Sequence, residues 1–146
     1  MHELKGGCHC GNLMVVYRTR VAPADAMVRA CQCSFCRKHA TRAVSDPEGS
    51  LSITVRDEDR LSRYQFALNA ADFLICRTCG VYVAAFMPDG ADGGYATLMV
   101  NVLDDHARYV GAPTPVEYGQ EDERGRRQRR REKWTPATLR AAAGRS

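Results

Sequence analysis

Apolar and polar residues alternate most cleanly at Leu51–Val55, where Leu51, Ile53 and Val55 are separated by Ser52 and Thr54. A period of two predicts a strand with one buried face. Leu13–Tyr17, Met27–Ala30 and Thr41–Ser45 are shorter apolar runs that predict further strands. Leu61–Leu68 places Tyr64 and Phe66 on one strand face and ends at Asn69. Ala71–Ile75 and Val81–Phe86 flank Cys76–Gly80 and predict a hairpin, and Tyr95–Val102 predicts one more strand. Turn residues separate these runs: Val21–Ala26 with Pro23 and Asp25, then Asp46–Gly49, Asp57–Asp59 and Pro88–Gly94. Short strands at intervals of roughly 8–12 residues predict a mainly β domain, an antiparallel sandwich or barrel.

The C-terminal part differs in kind. Glu121–Lys133 is almost wholly charged or polar, with Arg126, Arg127, Arg129, Arg130 and Arg131 crowded together. Thr135 and Pro136 then read as an N-cap and first helical position, which predicts a short C-terminal helix through Leu139 and Ala141–Ala143. The expected division is a β domain over residues 1–118 and a basic extension with a short helix over 119–146.

Composition adds class and compartment. A chain of 146 residues, 45% apolar and 26% charged, suits one globular core. No apolar run reaches the roughly 18 residues of a membrane span. Met1–Gly7 lacks the apolar stretch of a secretory signal, so a cytoplasmic location with no membrane partner is expected. There, clustered cysteines read as metal-binding or catalytic rather than as disulfides. The net charge of +4 is uneven: residues 1–120 carry 12 Lys and Arg against 13 Asp and Glu, residues 121–146 carry 9 against 4. The basic balance therefore belongs to the tail.

The seven cysteines fall into three groups: Cys8 and Cys10, then Cys31, Cys33 and Cys36, then Cys76 and Cys79. Two or three residues of tight turn bring paired sulfurs to a common ion, with Zn–S bonds of about 2.3 Å. The two outer pairs each sit beside a glycine and a strand, so Cys8, Cys10, Cys76 and Cys79 are assigned to one closed, structural zinc. Buried apolar cysteines are the bland alternative. Cys31, Cys33 and Cys36 cannot close a tetrahedron alone and leave a fourth position to water, a substrate thiol or His39. An open three-thiolate zinc is the expected catalytic site. Its net charge of −1 blunts Lewis acidity, so it suits a soft exogenous ligand, and a thiol bound there is deprotonated. No His-Glu-x-x-His, Gly-x-Ser-x-Gly or phosphate-loop motif is present. Arg37, Lys38 and Arg42 follow the triple cluster and Arg77 lies inside the last pair. Of these, Arg37, Lys38 and Arg77 are expected to bind the carboxylates of an acidic thiol such as glutathione, with solvated surface charge as the alternative.

Gly7-Cys8-His9-Cys10-Gly11, Cys31-Gln32-Cys33-Ser34-Phe35-Cys36-Arg37-Lys38 and Cys76-Arg77-Thr78-Cys79-Gly80, in that order, resemble the glutathione-dependent formaldehyde-activating enzyme family, which includes the centromere protein V group. The resemblance spans roughly residues 3–105. It implies an Mss4-like β-fold with zinc knuckles and two zinc ions per chain. Cys8, Cys10, Cys76 and Cys79 would be ligands of the structural ion, and Cys31, Cys33 and Cys36 ligands of the catalytic one. The implied activity joins formaldehyde and glutathione to S-hydroxymethylglutathione, a carbon–sulfur lyase reaction.

The leading expectation is therefore a zinc-dependent carbon–sulfur lyase whose partners are a small thiol such as glutathione and an aldehyde. The alternative is a non-catalytic zinc module whose basic tail binds nucleic acid or another acidic partner. No base-stacking aromatics interleave the arginines, and Trp134 reads as an anchor for the final helix, so nucleic acid is the weaker expectation. A thiol redox or zinc sensor is a third reading, because three close thiols oxidise readily once a metal leaves.

Overall fold

In the computed structural model, residues 1–66, 71–91 and 93–142 are described. In chain order the elements are β1 (His2–Gly7), β2 (Leu13–Thr19), β3 (Arg29–Cys31), α1 (Ser34–His39), β4 (Ala43–Val44), β5 (Ser50–Val55) and β6 (Leu61–Tyr64). There follow β7 (Asp72–Cys76), β8 (Tyr82–Pro88), β9 (Gly93–Met99), β10 (Thr114–Val116), α2 (Glu123–Lys133) and β11 (Thr135–Ala141). Among the described residues no helix is long and apolar enough to cross a membrane.

All eleven strands join one sheet, running β1-β2-β5-β11-β9-β4-β3-β10, with β8, β7 and β6 added in turn on β9. Along one edge of β9, residues Gly93–Ala96 meet β11 and Leu98–Met99 meet β4, while β8 pairs along the other. The sheet is mixed rather than wholly antiparallel, because β11 runs parallel to β5 and β10 parallel to β3. Leu13, Val15 and Tyr17 of β2 and Leu51, Ile53 and Val55 of β5 are each at most 2% exposed and share one core. Tyr82–Met87 is buried at every position, as a strand covered on both faces must be. One side of β8 faces the main core; Ala85 and Met87 on the other side pack with Ala71 and Trp134.

The hydrophobic pattern placed most strands within a few residues of their observed ends. β1 is an addition, since Leu4 is its one buried side chain and no alternation marks it. β6 stops at Tyr64, and the expected continuation through Ala67 and Leu68 to Asn69 lies outside the described residues. The strand expected over Tyr95–Val102 begins earlier, at Gly93, and ends in a 3₁₀ turn at Val100–Val102.

The C-terminal segment is the main correction. Its helix is α2, inside the charged run, and Thr135–Ala141 is a strand rather than the helix expected there; Ala143 lies outside the described residues. Thr135 and Pro136 mimic a helix start, but the backbone of β11 is claimed by β5 and β9 on its two sides. The β5 ladder begins only at Ala137, so the missing N–H of Pro136 leaves no gap on that side.

Candidate functional site

Two hairpins bring the outer cysteine pairs together. Cys8 and Cys10 lie in the β1–β2 turn, and Cys76 and Cys79 in the β7–β8 turn, where the Cys8 and Cys76 N–H groups donate to the Leu13 and Val81 carbonyls. Backbone N–H groups also point at sulfur, from Leu13 to Cys8 Sγ at 3.2 Å and from Cys79 to Cys76 Sγ at 3.5 Å. Each knuckle closes on a glycine in the left-handed region, Gly11 at φ 85° and Gly80 at φ 80°, a conformation that a Cβ disfavours. The four Sγ atoms all lie within 4.8 Å of one another. Cys8 and Cys10 are 3.7 Å apart and Cys10 and Cys76 3.5 Å, close to the roughly 3.8 Å edge of a tetrahedron with 2.3 Å metal–sulfur bonds. This donor set could hold a tetrahedral, thiophilic ion.

The local electrostatics carry the same sense. Burial, partly offset by the Leu13 N–H, raises the Cys8 thiol to about 11. Burial also pushes Cys79 upward, but the N–H groups of Cys10 and Val81 and the neighbouring thiols outweigh it and leave about 6. Thiolates this close repel one another, and a bound cation offsets that repulsion.

The second set is built by the end of β3 and the start of α1. Cys31 is the last strand residue, Cys33 is the N-cap whose Sγ accepts from the Cys36 N–H at 3.4 Å, and Cys36 is buried in the first turn. Their three Sγ atoms also lie within 4.8 Å of one another and could hold a metal. Hydrogen bonds from Cys31 and then Cys36 hold the Cys33 thiol far below its ordinary range, while Cys31 and Cys33 push Cys36 far above it. The bond with Cys33 also raises Cys31. Ionising all three would crowd like charges within 4.8 Å, a repulsion that a bound cation offsets. His39 is not in the cluster; its ring packs on Phe35 at 4.4 Å and Tyr82 at 5.6 Å between centroids. His9 is exposed.

The two sets differ in surroundings. Cys31, Cys33 and Cys36 line a cavity of about 450 Å³, and none of Cys8, Cys10, Cys76 or Cys79 does. Phe66, Phe73, Tyr82 and Met99 give the cavity an apolar wall, and Phe35 crosses Phe73 edge-on at 4.8 Å to brace it. Tyr82 is held well above the usual phenol range by burial first and then by the charges of Cys36, Cys33 and Cys31, and stays protonated.

The cations of the cavity are not those expected from the sequence. Arg37 and Lys38 are exposed in the last turn of α1 and Arg77 is exposed with Nη1 on the Asp59 carbonyl at 3.2 Å; none lines the cavity. Arg42 reaches the Tyr109 carbonyl instead. Four other arginines line it, Arg29 from β3 and Arg126, Arg129 and Arg130 from α2. The signal was present but unread: positions 126, 129 and 130 follow the i, i+3, i+4 spacing of one helical stripe.

Comparison with known proteins follows the same lines. The sequence model of the family described as "Glutathione-dependent formaldehyde-activating enzyme" matches residues 3–119. A crystal structure of a Rhodobacter sphaeroides protein is similar at a TM-score of 0.57 and 29% identity, over 77% of this chain and 99% of that one.

Proposed function

The chain belongs to the glutathione-dependent formaldehyde-activating enzyme family, with its Mss4-like fold, and from that premise we propose that it is a zinc-dependent carbon–sulfur lyase of the family's type. Its substrate is the adduct of an aldehyde with a small thiol, glutathione or one like it. One observation carries this reading: the three-thiol set opens on the cavity while the four-thiol set lies away from it. A closed four-sulfur set has no position left for substrate, so it serves the fold; a three-sulfur set has one.

The reaction is redox-neutral. In the joining direction the thiol S–H bond and the carbonyl π bond are lost, a C–S bond forms, and the proton ends on the former carbonyl oxygen. Zinc at Cys31, Cys33 and Cys36, when bound, supplies a centre that keeps a substrate sulfur deprotonated. The chain's own groups do the rest. Phe66, Phe73 and Met99 give the cavity an apolar side, and a low-dielectric wall strengthens polar interactions beside it. Cys33, with its low thiol range, and the buried Cys36 fix the sulfurs on the end of β3 and the first turn of α1, so substrate meets a set held by regular backbone.

Exchange NMR on a mixture of formaldehyde and glutathione tests the proposal. The zinc-loaded protein is expected to accelerate adduct formation and breakdown, and Cys33→Ser to abolish the acceleration. An unchanged exchange rate with fully loaded wild-type protein defeats it. The nucleic-acid alternative loses support because Arg126, Arg129 and Arg130, three of the five crowded arginines, line the cavity.

A further inference from the structure

Arg130 is 8% exposed, lines the cavity, and has Nε and Nη1 buried without a hydrogen-bond partner. Its guanidinium lies over the Trp134 ring at 4.5 Å. Burial, followed by the charges of Arg129 and Arg126, lowers it to about 10, so it remains a cation at neutral pH. Glu121 attracts it without bonding it, and a buried charge with no bonded counter-charge is costly, a cost tolerated where a ligand supplies the partner.

One neighbour shows what a satisfied arginine looks like on the same helix. Arg129 grips Glu121 with two hydrogen bonds of 2.8 and 3.0 Å and stacks on the Tyr118 ring at 3.6 Å. Arg126 shares that carboxylate only at 3.8 Å and leaves its buried Nε unbonded, although Nη2 reaches the Tyr118 carbonyl at 3.3 Å. Arg29 reaches the Thr97 hydroxyl at 2.8 Å, a neutral acceptor. Four guanidinium groups thus face the cavity against Glu121, the exposed Glu117 and a three-thiolate zinc of net charge −1, which leaves a positive excess.

We propose that Arg29, Arg126 and Arg130 form an anion subsite beside the Cys31–Cys36 cluster, and that its ligand is the carboxylate of a small organic acid. The fork of a guanidinium matches a carboxylate, and Arg129 with Glu121 displays that pairing within the same wall. The subsite is supplied largely by α2, which lies outside residues 3–119 matched by the family, so this chain carries an element of substrate choice of its own. That the carboxylate belongs to the thiol reaching Cys31 rests on the lyase reading; that the arginines take a carboxylate does not.

Trp134 is the chain's one tryptophan and stacks on Arg130, so its fluorescence reads the subsite directly. The zinc-loaded protein is titrated with propionate, 3-mercaptopropionate, 2-mercaptoethanol and methylphosphonate. Both carboxylates are expected to give a saturable, salt-sensitive change, the mercapto acid binding more tightly, and Arg130→Met to weaken both by about tenfold or more. Arg126→Gln, which leaves the Arg130–Trp134 stack in place, should weaken them in the same direction and serves if Arg130→Met does not fold. Propionate binding that depends on Arg130, with no gain from the thiol, supports the subsite and defeats the thiol reading. If 2-mercaptoethanol binds as well as 3-mercaptopropionate and neither variant matters, the subsite is overturned while the thiol reading stands. Tighter binding of methylphosphonate than of propionate overturns the carboxylate assignment.

Discussion

The Trp134 N–H donates to the Arg130 carbonyl at 2.8 Å, while the Arg130 guanidinium turns back over the Trp134 indole at 4.5 Å. The two residues close the end of α2 on each other, and the indole then packs against Ala71, just before β7, and against Ala85 and Met87 on β8's outer side. A helix whose inward stripe is arginine has no apolar face to dock with. Trp134 supplies that docking, which holds the arginines against the cavity.

Trp134→Ala is accordingly expected to cost about 3–5 kcal/mol, the range for deleting a large buried aromatic side chain. Trp134→Phe should recover most of the packing. Urea unfolding followed by circular dichroism measures both, and a loss under about 1 kcal/mol for the alanine variant would mean that α2 is held by something else.

The two cysteine sets should separate in a pair of substitutions. On the proposed two-zinc reading, Cys8→Ser is expected to drop the metal count from two ions to one and to lower the thermal midpoint sharply, since a structural zinc supplies on the order of 10 kcal/mol in small domains. Cys33→Ser should also lose one ion but keep most of the thermal stability. Elemental analysis with thermal unfolding distinguishes them; equal destabilisation by the two removes the division between a structural and an open site.

Asp46 gives the fold a defined acid sensitivity. Its carboxylate accepts from the Thr19 hydroxyl and Arg20 N–H at 2.8 Å each and from the Glu48 N–H at 2.9 Å, while its own N–H donates to Thr135 Oγ1. Burial raises its pKa, but those donors and the Arg20 charge outweigh it and hold the group below 3.8. A carboxylate depressed in the folded state stabilises above its unfolded value, and that stability is lost as pH falls through the folded value. Asp46→Asn should therefore destabilise at about pH 6 by about 1–3 kcal/mol, and the difference should shrink as pH falls through the lowered folded-state value. Urea midpoints across that range check it, and a pH-independent difference is the contrary result.

Two glycines predict opposite severities. A Cβ at Gly80 meets nothing within 4 Å, so Gly80→Ala costs only its φ of 80°, about 1–2 kcal/mol. A Cβ at Gly94 would stand 2.1 Å from the Met87 carbonyl oxygen, between paired strands β8 and β9, and Gly94→Ala should destabilise more than Gly80→Ala. Chemical denaturation ranks them, and the reverse order contradicts the strand-contact argument.

Much of the site was legible because its chemistry is local. Cys31, Cys33 and Cys36 span a strand end and one helical turn, so short spacing along the chain already implies short distance between sulfurs. The outer pairs announced themselves by their glycines, Gly11 and Gly80, and the structure does bring the two turns together. The alternation of Leu51, Ile53 and Val55 likewise marked β5, since a strand's faces are fixed by its own period of two.

What the sequence by itself determined, then, is whatever a few neighbouring residues decide: the strands with one wet face, the knuckle turns, and which thiols could share an ion. The tertiary structure alone decided the C-terminal segment. Thr135–Ala141 opens on Thr-Pro like a helix start and leads into an alanine run, a local signal for helix that pairing with β5 and β9 overrides. The inward placement of Arg126, Arg129 and Arg130 went unread because hydrophobic periodicity detects only faces buried for being apolar. Their burial depends on Trp134 finding Ala71, Ala85 and Met87 far back in the chain, and no local pattern records that contact.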